Sequence, residues 1–576
     1  MKRGRLGGLL VLVALVLLGG WAAHVARWEP LPLVGEKPGD GYARAVGVVH
    51  VHTTLSDGGG TPEEVIAAAR AVGLDFVGIT DHNNVDAKPL EGRHDEVLVL
   101  VGTEISTVEG HLLALGLDED PVYRFSRSGL EDLEDVRDLG GFSFAAHPFS
   151  SRSDLRWTGW DLPGPWGMEL INGDSEWRRA GLRGLSAMAL YALNSRWALL
   201  QGLNSPHAAL DRWDELLAQR DVVGLYGADA HSRLPITRSW AVRFPSYEAL
   251  FSLLRSHVLL DRSLSGDEDA DRAAVLDALR TGRSYIGLDA LAPADGFTFT
   301  VHGGGGEQWT MGERVPFQEG LHARVGGRVP RGARVLLFRD GSLVRQQSLS
   351  LEAPLPGPGV YRAEVRVPGW PVPWVISNAV AVFDEATFAA RDEAAAWPEP
   401  PPAPEEVLGL ATLPGSSAFG AEFDPTSWMD TDVLDPTGGP EDTPALKLAF
   451  RLGAPTLEQP FTWCALVNRQ ERDLAAYRGL RFRVRADGVY RVWVQVRDAN
   501  PDSADDGEEW WMASVRTSRD WQQVLLPFSR FRTINERTDG RLDPDQTRAL
   551  VFVLDHAAVK PGTEGTIWIA GLGVYR

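Results

Sequence analysis

Cysteine is almost absent from this chain, since Cys464 is the one cysteine among 576 residues and no internal disulfide can form. A disulfide-stapled scaffold is therefore excluded, and the domains must be stabilised by hydrophobic cores. Cys464 lies in the apolar stretch FTWCALVN, which predicts an inert core thiol. A chain of this length is expected to form about two to four domains.

Positive charge is also scarce, because 57 Lys and Arg residues stand against 78 Asp and Glu residues and leave a formal net charge of −21. A protein dedicated to nucleic-acid binding normally presents a basic surface. The composition therefore argues against nucleic acid as a partner. It remains compatible with a local basic pocket for a small phosphorylated substrate.

Long apolar runs are missing except at the N-terminus, where Lys2, Arg3 and Arg5 precede an apolar run over residues 7–23. A basic start followed by an apolar run is typical of an export signal, and the run is at the edge of the length that spans a membrane. Residues 1–26 are therefore predicted to be a signal peptide or a membrane anchor, with a buried N-terminal helix as the third alternative. Either of the first two predicts an exported protein, periplasmic or extracellular, and the anchor would hold it at the inner membrane.

Residues 42–291 alternate short apolar runs with amphipathic helical patterns. Seven runs are typical of buried strands: AVGVVHVH, DFVGITDH, VLVLVGTEIS, HLLALGL, GFSFAAHPF, GMELIN and VVGLYGADAH. Between the first two lies a helix that begins at Thr61, with Pro62 in its first turn and Glu64 completing a capping box. Strands that alternate with helices predict parallel pairing in an α/β layer or barrel.

The pattern changes after residue 291. Residues 292–390 contain short alternating strands separated by Gly, Pro and Asp turns, which predicts a small antiparallel β-sandwich. Residues 397–406 form a proline-rich, acidic linker. Residues 407–576 alternate at period two again, which predicts a second all-β domain, a sandwich or jelly roll. The predicted fold class is thus α/β followed by two all-β sandwich domains.

Almost every predicted strand of the first region carries a His, Asp or Glu near one end. The nine residues are His50, His52, Asp57, His82, Glu104, His111, His147, Asp229 and His231. The carboxyl ends of parallel strands converge on the face where α/β sites are built. Unpaired imidazoles and carboxylates would be costly in such an apolar setting, and cations remove that cost. This donor set suits two or three ions of Mn, Zn or Fe.

The motifs HVHTTLSDG, GITDHN, GTEIS, GHLLALG, AAHPF, MELIN and GADAHS closely resemble the motif series of the PHP (polymerase and histidinol phosphatase) superfamily. The resemblance runs from about residue 45 to 289 and implies a distorted seven-stranded (β/α) barrel with a trinuclear metal site. Carried over residue by residue, it implies one ion on His50, His52, Glu104 and Asp229, a second on Glu104, His111 and His147, and a third on Asp57, His82 and His231. Glu169, in MELIN, matches a position that is usually structural.

Metal ions depress the pKa of bound water and neutralise phosphoryl oxygens, so such a site suits hydrolysis of a phosphate ester by a metal-bridged hydroxide. The resemblance also implies phosphatase or phosphodiesterase activity. Glu104 would be catalytic as the bridging ligand, and Asp57 or His82 would assist the leaving group. Arg152 and Arg233 are the candidates for binding a phosphate.

The last region resembles galactose-binding-like jelly rolls of the carbohydrate-binding-module type, which implies glycan contact through the C-terminal domain. Trp493, Trp510, Trp511 and Trp521 offer flat faces for stacking on a sugar, although a tryptophan in a sandwich more often packs in the core. Two alternatives to the phosphoesterase stay open. One is an amidohydrolase-type metal-dependent hydrolase, and the other is a non-catalytic envelope or glycan-binding protein.

Overall fold

The computed structural model divides the chain into two compact units. The first comprises Met1–Asp118 and Arg127–Trp397, and the second comprises Glu119–Ser126 and Pro398–Arg576. The structure describes residues 2–36, 39–118, 121, 123–126, 128–164, 166–237, 240–397, 407–410, 418–501, 503, 507–533, 535 and 537–576. Apart from Trp397, the predicted linker lies outside the described residues. The domain boundaries at residues 291 and 390 stay predictions.

Eight strands carry the predicted site motifs in the first unit. They are β1 (Ala43–Val51), β2 (Phe76–Ile79), β3 (Val97–Val101), β4 (Thr103–Thr107), β5 (Gly110–Leu115), β6 (Phe142–Ala146), β7 (Gly167–Asn172) and β8 (Gly224–Ala230). The strand β1 pairs in parallel with β2 and β8, β2 pairs with β3, and β7 pairs with β6 and β8. The predicted mixture of strands and helices is confirmed, and every predicted strand of residues 42–291 is present.

Parallel pairing throughout is a wrong prediction, because β5 runs antiparallel to both β4 and β6. The reason is the connection: only Val108 and Glu109 separate β4 from β5. A link of two residues can close a hairpin, whereas parallel neighbours need a crossover of about a dozen residues or more. The third predicted strand is also bent, since Gly102 separates β3 from β4.

Helices cover this sheet and the remainder of the first unit. Their bounds are Lys2–Ala26, Pro62–Ala71, Gly129–Asp138, Gly173–Arg179, Leu182–Tyr191, Ser195–Leu200, His207–Leu217, Tyr247–Phe251, Glu268–Thr281 and Glu385–Ala395, with a 3₁₀ turn at Lys88–Leu90. The predicted capping box is confirmed: the Thr61 hydroxyl accepts from the amide of Glu64, and the Glu64 carboxylate accepts from the amide of Thr61. The helix therefore begins where the sequence indicates.

The first unit contains further strands. They are Leu33–Val34, Gly92–His94, Leu234–Pro235, Ala241–Val242, Arg255–Leu260, Ser284–Gly287, Phe297–His302, Gln308–Thr310, Arg314–Pro316, His322–Gly327, Val329–Pro330, Arg334–Arg339, Ser342–Ser348, Leu351–Pro354, Gly359–Arg366, Val375–Ser377 and Val380–Phe383. Strand Arg255–Leu260 pairs with β1 and with Ser284–Gly287, and the latter pairs with Val375–Ser377. Hydrogen bonding thus joins the strands after residue 291 to the sheet that contains β1.

The N-terminal helix Lys2–Ala26 leaves the side chains of Leu15, Val16, Leu17 and Leu18 exposed. Its last residues pack on the first unit, where Val25 is buried against Ala187, Leu190 and Ala198. Among the described residues, no helix combines the length and the apolar character needed to cross a membrane.

The second unit is all-β, as predicted. Its strands are Val407–Gly409, Gly420–Phe423, Trp428–Met429, Leu434–Asp435, Ala445–Arg451, Trp463–Arg472, Gly479–Ala486, Arg491–Ala499, Glu508–Arg516, Gln522–Pro527, Arg532–Thr533, Thr547–Asp555 and Glu564–Tyr575. They form a seven-stranded and a six-stranded sheet over one hydrophobic core. Cys464 is fully buried there, and burial raises the pKa of its thiol to about 12, which agrees with an inert thiol.

Candidate metal centre

Three of the predicted site residues adopt the left-handed backbone region. His50, His147 and Asp229 have φ values of 66°, 31° and 47°. The register of β1 shifts between Val48 and Val51, and that of β8 shifts between Gly227 and Ala230. Such non-glycine conformations cost roughly 1–3 kcal/mol each and cluster at functional sites. The bulges turn His50 and Asp229 toward a common point.

Glu104 lies at the centre of the cluster and contacts five histidines. Its Oε1 lies 2.7 Å from His111 Nδ1 and 2.7 Å from His147 Nε2. Its Oε2 lies 3.1 Å from the Nε2 atoms of His50 and His52 and 3.2 Å from His82 Nδ1. The two carboxylate oxygens therefore serve two separate groups of imidazoles.

Asp229 and Asp57 flank this centre. The Oδ1 of Asp229 lies 3.6 Å from His50 Nε2, 3.5 Å from His52 Nε2 and 3.3 Å from His231 Nδ1. The Oδ1 of Asp57 lies 3.2 Å from His231 Nε2 and 3.8 Å from His82 Nε2. The structure thus brings all nine predicted residues together, in four groups that could each hold an ion.

The site is buried at one side and open at the other. His50 and His52 are fully buried, whereas the Asp57 side chain is 47% exposed. Four buried ligand atoms have no hydrogen-bond partner: His50 Nε2, His52 Nε2, Asp57 Oδ1 and His82 Nδ1. Polar atoms buried in this way are costly unless something binds them. Because imidazole nitrogens and carboxylate oxygens are ligands for Zn, Mn and Fe, this donor set fits divalent metal ions.

The charges in the cluster are strongly coupled. Burial alone would raise the pKa of Glu104, but His50, His111 and His147 hold it well below its ordinary value. Burial would likewise lower the pKa of His147, but Glu104 raises it to about 9. Burial would lower the pKa of His231, but Asp57 and Asp229 raise it to about 9. Glu104 is therefore ionised at neutral pH, as metal ligation requires, whereas His147 and His231 are protonated and would release that proton on binding a metal ion.

Glu169 contacts two of the predicted ligand residues, His50 and His147, on the side away from Glu104. Its Oε1 lies 2.6 Å from His50 Nδ1, and its Oε2 accepts hydrogen bonds from the His147 amide at 2.6 Å and from Asn172 Nδ2 at 2.8 Å. A carboxylate behind a ligating imidazole fixes the tautomer and leaves the opposite nitrogen free for a metal. The supporting role predicted for Glu169 agrees with these contacts.

Replacing Glu169 by glutamine is expected to lower metal affinity or turnover about 10–100-fold, as is typical of residues behind metal ligands. Glutamine keeps the side-chain shape but removes the charge beside His50. The check is metal affinity by titration together with kcat, measured against Glu96→Gln, a substitution at an exposed glutamate of the same unit. Wild-type affinity and wild-type turnover in Glu169→Gln would contradict this role.

Two supporting residues are not among the nine predicted ligands. Asp81 accepts hydrogen bonds from the Thr53 amide at 2.8 Å and from its hydroxyl at 2.7 Å, and so holds the loop that carries Asp57. The hydroxyl of Tyr247 donates to the His52 carbonyl at 2.7 Å and lies 3.2 Å from the His231 carbonyl. Asp81 directly precedes His82, which is a weak sequence signal, whereas Tyr247 has none.

The glycines after Asp57 allow close packing of this loop. A side chain at Gly58 would meet the His52 carbonyl oxygen at 2.3 Å, and one at Gly59 would meet the Ser232 carbonyl oxygen at 2.3 Å. Both contacts are shorter than any real side chain tolerates. The SDGGG sequence therefore serves to bring the Asp57 loop against the ends of β1 and β8.

The predicted phosphate-binding arginines lie on the surface. Arg233 is exposed and donates from Nη1 to the Asp57 carbonyl at 3.2 Å, at the open side of the site. Arg152 is exposed and pairs with Asp154 at 2.5 Å. Of the tryptophans considered for sugar stacking, Trp493 and Trp511 are buried in the core of the second unit, so neither presents a free face.

Comparisons with known proteins identify relatives of the first unit. A family model described as "PHP domain" matches residues 49–128. An uncharacterised protein of Methanocaldococcus jannaschii is 33% identical over 117 residues, which cover 18% of this chain and 67% of that protein. An error-prone DNA polymerase of Nocardia farcinica is 27% identical over 303 residues, which cover 46% of this chain and 26% of the polymerase.

Two solved structures show lower similarity. A two-domain protein containing a predicted PHP-like metal-dependent phosphoesterase from Bacteroides vulgatus covers 61% of this chain and 99% of its own length, with 16% identity and a TM-score of 0.28. The family 11 carbohydrate-binding module of a cellulosomal cellulase of Clostridium thermocellum covers 30% of this chain and 94% of its own length, with 14% identity and a TM-score of 0.24.

The family assignment rests on the matched model and on the archaeal relative, two thirds of whose length this chain covers. The matched segment begins within β1 and includes His50, His52, Asp57, His82, Glu104 and His111. The chain belongs to the PHP domain family.

Proposed function

We propose that the chain is a metal-dependent phosphoesterase, a phosphatase or phosphodiesterase. The observation that supports this most strongly is the convergence of nine His, Asp and Glu side chains on Glu104, with four buried ligand atoms that have no hydrogen-bond partner. Left-handed backbone at His50, His147 and Asp229 also supports a functional site, because such conformations cluster at functional sites.

The ligand sets implied by the motif resemblance suggest how ions would be held. One ion would lie on His50, His52 and Asp229, with Glu104 Oε2 within 3.1 Å of both imidazoles. A second would lie on Glu104 Oε1, His111 and His147. A third would lie on Asp57, His82 and His231. Glu104 would bridge the first two because its two oxygens face different groups.

Bound divalent ions lower the pKa of water to make a nucleophile near neutral pH and neutralise phosphoryl oxygens. The chain's own residues determine where substrate binds. The ester would enter at the open side, beside Asp57 and His82, since His50 and His52 are sealed inside. Arg233 at this side would orient a phosphoryl oxygen, and Arg152 is the second candidate. Asp57 and His82 lie at this open side and are the candidates for assisting departure of the leaving oxygen.

A substrate panel tests the proposal. The purified protein, loaded with Mn²⁺ or Zn²⁺, is assayed with p-nitrophenyl phosphate, with its bis-ester and with amide substrates. Hydrolysis of either ester supports the phosphoesterase, and the preferred ester separates phosphatase from phosphodiesterase. Turnover of amides alone would favour the amidohydrolase-type alternative. Metal-replete protein without turnover of any substrate would favour the non-catalytic alternative.

We also infer the distorted seven-stranded (β/α) barrel for this region. The pairing order supports it: β1 pairs with β2, β2 with β3, β4 with β5, β5 with β6, β6 with β7, β7 with β8, and β8 with β1. With β3 and β4 counted as one bent strand, this order contains seven members.

We further propose that the protein is exported and that its second unit contacts glycans. Support for export is the basic start of residues 1–26 and the exposed apolar side chains of residues 15–18. Cell fractionation with N-terminal sequencing tests it: a processed N-terminus outside the cytoplasm indicates a signal peptide, and an intact one in the membrane fraction indicates an anchor. Intact protein in the cytoplasmic fraction would contradict export.

Glycan contact through the second unit is tested by binding to immobilised polysaccharides.

A further inference from the structure

Two buried carboxylates face one another in the second unit, outside the PHP centre. Asp498 lies in strand Arg491–Ala499 and Glu509 in strand Glu508–Arg516, and the two are direct cross-strand partners. Asp498 is 2% exposed and Glu509 is fully buried. Direct partners of this kind have Cβ atoms about 4.5–5.5 Å apart, and like charges at that spacing destabilise a sheet. Something must therefore compensate the pair.

Each carboxylate has one oxygen held and one oxygen unpartnered. Asp498 Oδ2 accepts from the Asp543 amide at 2.6 Å, and Glu509 Oε2 accepts from Asn500 Nδ2 at 2.7 Å. Asp498 Oδ1 and Glu509 Oε1 are buried without a hydrogen-bond partner. The two hydrogen bonds fix the orientation of both carboxylates. The other oxygen of each carboxylate is therefore held in place and has no hydrogen-bond partner. Leaving a buried charged acceptor unsatisfied costs several kcal/mol as a rule.

The surroundings add negative charge rather than remove it. Burial raises the pKa of Asp498 to about 6, and the charges of Glu509 and Asp543 act in the same direction. Asp543 is paired with Arg541 at 2.7 Å. In the part of the chain that the structure describes, no ion pair joins Asp498 or Glu509 to an Arg or Lys. The two unpartnered oxygens and the missing protein cation together indicate a bound cation.

We propose that Asp498 and Glu509 form a calcium site in the second unit. The donors are oxygens, and among the described residues no histidine or cysteine contacts this pair, which favours a hard cation over zinc. Calcium accepts irregular sets of carboxylate, carbonyl and water oxygens, whereas magnesium demands a near-ideal octahedron. The ion would join two neighbouring strands and the turn at Asp543, and so would stabilise this end of the sandwich. This proposal does not depend on the phosphoesterase proposal.

The test uses the full chain, stripped with EDTA, reloaded with Mn²⁺ at the PHP centre and dialysed against CaCl₂. Wild type is expected to bind one more Ca²⁺ per chain than Asp498→Asn/Glu509→Gln. Calcium at about ten times its Kd is expected to raise the Tm of wild type by about 3–5 °C, and Mg²⁺ by less. The double variant should show no such shift. Glu458→Gln/Asp520→Asn makes the same charge change at exposed positions and should behave as wild type.

The proposal is overturned if wild type and the double variant bind equal amounts of calcium. It is also overturned if calcium leaves the wild-type Tm unchanged while the double variant is more stable in EDTA, because the pair would then share a proton rather than a cation. If the double variant does not fold, bound calcium is counted in Glu509→Gln alone and compared with wild type in the same way. Glutamine has nearly the same shape as glutamate, and its side-chain oxygen can still accept the hydrogen bond from Asn500 Nδ2. Ester hydrolysis is expected to be equal in all variants that fold.

Discussion

Replacing Glu104 by glutamine is expected to reduce hydrolysis of a phosphate ester by about 10³-fold or more. The two oxygens of Glu104 contact five imidazoles in two groups, so this one change weakens two ion sites at once. Loss of several kcal/mol of transition-state stabilisation follows, and each 1.4 kcal/mol corresponds to about tenfold in rate. The measurements are kcat/KM with p-nitrophenyl phosphate or its bis-ester and metal content by elemental analysis.

The comparison with Asp57→Asn makes this prediction specific. Asp57 is half-exposed, and its Oδ1 lies 3.2 Å from His231 Nε2, 3.7 Å from His52 Nδ1 and 3.8 Å from His82 Nε2. Its loss should therefore weaken mainly the third ion site and cost less activity. Glu96→Gln, at an exposed position, should retain wild-type activity and metal content. Equal residual rates in the Glu104 and Asp57 variants would contradict the bridging role of Glu104.

Removal of metal is expected to have an effect of similar size. Chelation with EDTA followed by gel filtration should abolish ester hydrolysis by about 10³-fold or more, and addition of Mn²⁺, Zn²⁺ or Fe²⁺ should restore it. The metal-free protein should also unfold at lower temperature, because the cluster then keeps buried ligand atoms without partners. Thermal unfolding and the ester assay measure both effects on one sample.

The metal-removal experiment has an internal control. A Glu104→Gln sample treated in the same way should gain little Tm from added metal, since its bridging carboxylate is missing. If chelated wild type kept full activity, or if its activity did not return with any of the three metals, the metal-dependent account would be wrong.

Eight residues of the cluster could be predicted because each is a His, Asp or Glu at or next to one end of an apolar run, and Asp57 follows the first run in the SDGGG turn. His50 and His52 are spaced at the period of a strand. His50 lies in β1, and His52 directly follows its last residue, Val51. Their convergence was also predictable, since neighbouring strand ends share a face. The left-handed backbone at His50 and Asp229 was not, because a bulge depends on the partner strand and not on the local sequence.

The sequence contains evidence that β5 is antiparallel, but another pattern favours the opposite prediction. The two residues between β4 and β5 permit only a hairpin, yet the alternation of strands and helices elsewhere favours parallel pairing. Tyr247 contacts His52 from a segment far along the chain, and the pairing of Asp498 with Glu509 depends on the register of two neighbouring strands. No local pattern encodes such contacts, so only the structure could identify them.

We propose that the cluster around Glu104 is a metal-dependent phosphoesterase centre. The most direct measurement is ester hydrolysis by wild type and Glu104→Gln as metal is added stepwise to chelated protein, with bound metal counted in the same samples. Wild-type activity is expected to rise with bound metal and to saturate at two or three ions per chain, while the Glu104→Gln variant stays inactive. Activity in metal-free wild type, or metal-saturated wild type without ester hydrolysis, would contradict it.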